Sequence, residues 1–68
     1  MKIDVWVEKE NRNESIELGK GARIFDVLEV LGINPETIIS MKNGELVMED
    51  EPLKHRDRLE LRSVKIPG

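Results

Sequence analysis

The sequence predicts an α+β fold, a mixed sheet with one face covered by a single helix. Three observations predict it. Hydrophobic residues alternate with a period of two near both ends of the chain, at residues 2–8 and 58–62. Between them the period changes to that of a helix, with Ile24, Val27, Leu28 and Leu31 at i, i+3, i+4 and i+7. The whole chain is 68 residues, enough for one domain and one layered core.

Each element has its own signal. In the first strand Ile3, Val5 and Val7 point one way, and Lys2, Asp4, Trp6 and Glu8 the other. Residues 9–14 are polar and read as a hairpin loop, and Ser15-Ile16-Glu17-Leu18 as a second strand. Gly32 is the expected helix C-cap, Ile33 makes the apolar contact of a Schellman ending, and Pro35 blocks continuation. The helix start is weaker, because Ala22 and Arg23 stand where a capping Ser, Thr or Asp is preferred. Phe25 and Val30 widen the apolar face.

Residues 38–42 form a third strand, and Asn43-Gly44 is a strong hairpin signal because both residues tolerate positive φ. Residues 45–47 form a short fourth strand, Glu49 to Pro52 an acidic turn, and Leu53 plugs the core from the loop. The fifth strand carries Leu59 and Leu61 inward. It is expected between the first and third strands and parallel to the first, giving a ββαββ order with the C-terminal strand central. The predicted core is Ile3, Val5, Val7, Ile16, Leu18, Ile24, Val27, Leu28, Leu31, Ile39, Met41, Leu46, Leu59 and Leu61. A single domain over 1–64 is expected, with a flexible tail over 65–68, since the alternation fades after Val64 and Pro67 cannot donate to a ladder.

Composition narrows the function classes. The net charge is −3, with 11 basic and 14 acidic residues intermixed, so no basic stripe for nucleic acid forms. Trp6 and Phe25 are the only aromatics, too few for a base-stacking platform. The absence of cysteine excludes a disulfide, a thiolate nucleophile and a Cys-ligated metal. No apolar run approaches the ~18 residues of a membrane span, and no signal-peptide pattern is present. A soluble, cytoplasmic monomer is expected. His55 has no second ligand at metal spacing, and no Ser/His/Asp set suggests catalysis. The terminal Gly68 is different. Its carboxylate has no side chain beside it, so another enzyme can close a narrow channel around it.

Read with these residues, the order resembles the β-grasp or ubiquitin-like fold. The nearest likeness is to the small sulfur carriers of the ThiS and MoaD type and to archaeal-type ubiquitin-like modifiers. Lys42-Asn43-Gly44-Glu45-Leu46-Val47 is similar to the "LNGEIV" hairpin of these carriers. Leu53 to Leu61 is similar to their "L-x-x-G-D-x-V-E-I" entry into the last strand, with Arg56 in place of the glycine. The helix followed by Gly32-Ile33 fits "V-x-x-L-L-x-x-L-G-L", and the terminal Gly68 fits as well. The carriers end Gly-Gly, whereas this sequence ends Ile66-Pro67-Gly68.

The resemblance implies a carrier and not an enzyme. A ubiquitin-activating-type adenylating enzyme would use ATP to adenylate Gly68, and a persulfide sulfur donor would convert it to a thiocarboxylate. A sulfur-accepting biosynthetic enzyme would then receive the sulfur for thiamine, molybdopterin or tRNA thiolation. The carrier itself would bind no cofactor. It also implies docking through the outward sheet face, for which the expected residues are Trp6, Ile38, Val47, Arg62, Val64, Ile66 and Pro67. Trp6 reads equally as a residue packed under a loop. The alternatives are a ubiquitin-like protein modifier and a non-covalent interaction module with an inert terminus.

Overall fold

The computed structural model describes residues 1–64. The expected tail, 65–68, with Ile66, Pro67 and Gly68, lies outside the described residues. The elements run β1 (Lys2–Val7), β2 (Arg12–Glu17), α1 (Ile24–Leu31), β3 (Ile38–Lys42), β4 (Glu45–Val47) and β5 (Arg58–Ser63). They form one sheet in the order β2-β1-β5-β3-β4. β5 is central, parallel to β1 and antiparallel to β3. Two hairpins are thus joined through the last strand beneath one helix, the β-grasp arrangement.

The first hairpin is tighter than its polar sequence suggests. A 3₁₀ turn at Glu8–Glu10 and a left-handed Asn11 (φ 46°) replace the expected long loop, so β2 starts at Arg12. α1 ends as expected: Gly32 has φ 69°, and the Ile33 amide donates to the Leu28 carbonyl at 2.9 Å. Its start is capped by one local carboxylate and by distant backbone carbonyls. Asp26 Oδ2 accepts from the Arg23 amide at 2.8 Å. The Ile24 and Phe25 amides donate to the carbonyls of Glu51 (3.1 Å) and Glu49 (2.9 Å). The acidic turn therefore satisfies helix amides that no local cap serves.

The core comprises Ile3, Val5 and Val7 of β1, Ile24, Val27 and Leu28 of α1, Leu53, and Leu59 and Leu61 of β5. Ile16, Leu18 and Leu31 pack against it half-buried. Phe25 and Val30 do not widen the buried face; they are 43% and 61% exposed.

β3 and β4 correct the expected core. Their parity is set by β5: Leu61 stands opposite Ser40, and Leu59 opposite Lys42. Because Leu59 and Leu61 face the helix, so do Ser40 and Lys42. Ser40 in turn faces Val47. Ile39, Met41 and Leu46 consequently lie on the outer face, and Ile39 and Leu46 are 44% and 70% exposed. Ile38 and Val47, expected outside as docking residues, pack against the core instead.

A lysine on the core face is tolerated because it reaches the acidic turn. Lys42 Nζ donates to Glu51 Oε2 at 2.6 Å and to the Pro52 carbonyl at 3.3 Å. The hydrogen bond to Glu51 raises the lysine pKa above its ordinary value and outweighs the desolvation that would lower it.

Arg56 occupies the position where the carrier pattern has glycine, and it is left-handed at φ 72°. Its amide donates to the Lys2 carbonyl at 2.7 Å, which holds that conformation. An L-residue in this region costs ~1–2 kcal/mol, against ~0.5–1 kcal/mol of extra backbone entropy lost by glycine. Arg56→Gly is therefore expected to stabilise the domain by up to about 1 kcal/mol. A urea melt showing clear destabilisation would contradict this account of the turn.

Candidate functional site: the outer sheet face and the exit of β5

The side of the sheet away from the helix carries an ordered row. Strand register aligns Asn13, Trp6, Glu60, Met41 and Leu46 across all five strands. Beside it Ile39 stands opposite Arg62, and Asp4 opposite Arg58. Trp6 is partly buried and Arg62 is exposed. A shallow depression of about 380 Å³ lies beside Trp6, lined by Asp4, Asn13, Asn43, Arg58 and Glu60. The Arg62 guanidinium donates to Glu60 Oε2 from Nη2 at 2.9 Å and from Nε at 3.2 Å. This ion pair divides the face into an apolar half, Ile39, Met41 and Leu46, and a mixed half around Trp6.

Of the expected docking residues, Trp6 and Arg62 are therefore brought together on this face. Val64 lies just past β5, 37% exposed, with its amide donating to the Thr37 carbonyl at 3.1 Å. It borders a cleft of about 650 Å³ formed with Leu31, Ile33, Ile38 and Ser63. Ile38 and Val47 are on the other face, and Ile66, Pro67 and Gly68 lie outside the described residues. Sequence reasoning missed Ile39, Met41 and Leu46. The signal that could have found them is the pairing with β5, which is not local in sequence.

Next to the depression beside Trp6, three segments are tied through one carboxylate. Asp57 is only 8% exposed. Its Oδ2 accepts from the Lys54 amide at 2.7 Å and its Oδ1 from Asn43 Nδ2 at 3.0 Å. The Asp57 carbonyl accepts from the Asp4 amide at 3.1 Å. Asn43, at φ 50° in the hairpin turn, also accepts the Arg58 amide through Oδ1 at 3.0 Å. His55 Nδ1 accepts from the Lys2 amide at 2.9 Å, which engages the ring in the backbone. Among the described residues, no group of three or more His, Asp or Glu side chains could hold a metal ion. No helix among them is long and apolar enough to cross a membrane.

Comparison with known proteins places this architecture. The profile of the family "Small archaeal modifier protein 2" matches residues 1–62. The chain belongs to that family. It is 32% identical over 50 residues to the sulfur carrier protein TtuB of Thermus thermophilus, covering 74% of this chain and 77% of the relative. Its fold is similar to that of SAMP1 from Haloferax volcanii, with a TM-score of 0.79, 17% identity and all of both chains covered. A ubiquitin-like protein from Caldiarchaeum subterraneum superposes with a TM-score of 0.65 at 16% identity, over 98% of this chain and 100% of that one. The fold is ubiquitin-like, and the β-grasp expectation holds.

Proposed function

We propose that this protein is a sulfur carrier, activated at the Gly68 carboxylate by a partner enzyme. The observation that carries the reading is its 32% identity to a sulfur carrier across about three quarters of both chains. The family description, a modifier, supports a second use of the same activated terminus. β5 is central and held on both sides, so the last strand is a firm base ending five residues before Gly68.

The chemistry belongs to the partners. In an adenylating enzyme the Gly68 carboxylate attacks the α-phosphorus of ATP, and pyrophosphate leaves. A persulfide sulfur then attacks the acyl carbon and AMP leaves. A thiol reductant cleaves the resulting acyl disulfide to give the thiocarboxylate. Attack by a target lysine amine on the same acyl-adenylate gives an isopeptide bond instead. The chain supplies a handle and a docking face, with Trp6, Ile39, Met41, Leu46 and Arg62 as the docking residues. The acceptor is a thiamine, molybdopterin or tRNA-thiolating enzyme, and the protein acts in the cytoplasm.

Incubation with the cognate adenylating enzyme, ATP and a persulfide donor is expected to add ~16 Da, one oxygen exchanged for sulfur at an activated acyl group. Gly68→Ala is expected to slow charging, and a chain lacking Gly68 to remain uncharged. Equal charging of the shortened chain, or none of the full one, would overturn the carrier reading in favour of a non-covalent module.

A further inference from the structure

The two edges of the sheet are built differently. β2 is guarded: Arg12 pairs with Glu10 at 3.1 Å and Glu14 at 3.4 Å, and Asn13, Ser15 and Glu17 are exposed polar residues. β4 is not. Leu46 is 70% exposed and Met48, just beyond it, 74%. The two-residue turn makes Lys42–Glu45 and Ser40–Val47 the hydrogen-bonding pairs of the hairpin. The Leu46 amide and carbonyl therefore point off the free edge. A groove of about 320 Å³ opens at the same edge, lined by Leu28, Pro35, Ile38, Val47 and Met48.

Charge identifies what suits this edge. Glu45, Glu49 and Asp50 flank it, all exposed, and among the described residues they form no ion pair. The nearby Lys42 is committed to Glu51. A second copy is a poor occupant. Antiparallel pairing centred on Leu46 makes the two Glu45 side chains diagonal neighbours at ~7–8 Å, between chains that each carry a charge of −3.

We propose that the β4 edge accepts an extended segment of a partner protein as an added strand, its apolar residues flanked by lysine or arginine. The Leu46 main chain supplies a pair of strand hydrogen bonds, and alternate side chains of the segment enter the groove or lie beside Leu46 and Ile39. This does not depend on chemistry at Gly68.

The test is a titration of the full, nitrogen-15-labelled chain with a blocked ten-residue peptide. Its centre is six alternating valines and threonines, with two lysines at each end. Amide shifts are expected at residues 45–48, with slowed exchange at the Leu46 amide and weakening as salt is raised. Leu46→Lys, at an exposed position, is expected to weaken binding at least ~tenfold. Combined Glu45→Lys and Glu49→Lys substitution is expected to switch preference to the same peptide with glutamate ends. Equal binding of both peptides by the unaltered chain, shifts centred on β2 or Trp6, self-association through β4, or no shifts at millimolar peptide would each overturn the proposal.

Discussion

Asp57→Ala is expected to destabilise the domain by about 2–4 kcal/mol, read as a lower urea midpoint with unchanged slope. The carboxylate accepts from the Lys54 amide and from Asn43 Nδ2 while nearly buried. Alanine removes both acceptors and leaves donors without partners, and bonds to a charged group are worth ~1.5–3 kcal/mol each. A domain of this length has roughly 3–10 kcal/mol in total, so the loss is a large fraction. Asp57→Asn is expected to cost less, because its amide oxygen can replace one acceptor while its NH₂ faces a donor. A cost for Asp57→Ala below ~0.5 kcal/mol would show that the tether among hairpin turn, loop and β5 contributes nothing net.

Leu28→Ala is expected to cost ~2–5 kcal/mol, the range for removing a buried leucine and leaving a cavity. Leu28 is 2% exposed and comes from the helix that covers the sheet. Among the described residues one α-helix covers the sheet, so no second layer is there to collapse into the space. Leu46→Ala is the internal control, since Leu46 is 70% exposed and expected to change stability by less than ~0.5 kcal/mol. Equal losses at both positions would mean that the register assigned to β4 is wrong.

These two leucines mark where the sequence was legible and where it was not. The α1 stripe, its Gly32 end, the Asn43-Gly44 turn and the inward residues of β1 and β5 follow from local periodicity and turn chemistry. β3 does not. Ile39 and Met41 alternate with Ser40 and Lys42 as cleanly as any core strand, and that alternation points to the wrong face. The deciding facts are the pairing of Ser40 with Leu61 and the reach of Lys42 to Glu51, nine residues on. Two adjacent isoleucines, Ile38 and Ile39, leave either parity open, and only the tertiary partner chooses. The same flip moved the candidate docking face from Ile38 and Val47 to Ile39, Met41 and Leu46. Likewise the helix start looked uncapped because its partners, Glu49 and Glu51, are about 25 residues away.

The central position of β5 bears on how the chain acquires its structure. Val5 pairs with Leu59 across a parallel ladder, so the middle of the sheet cannot assemble by a local hairpin. Most of the chain must be looped first, and such non-local pairing makes folding slower than that of a helical domain of similar length. On the ribosome, the two hairpins and the helix emerge before the strand that joins them. A chain halted before residue 58 lacks the strand that joins its two half-sheets. The joined five-stranded sheet therefore requires synthesis through β5.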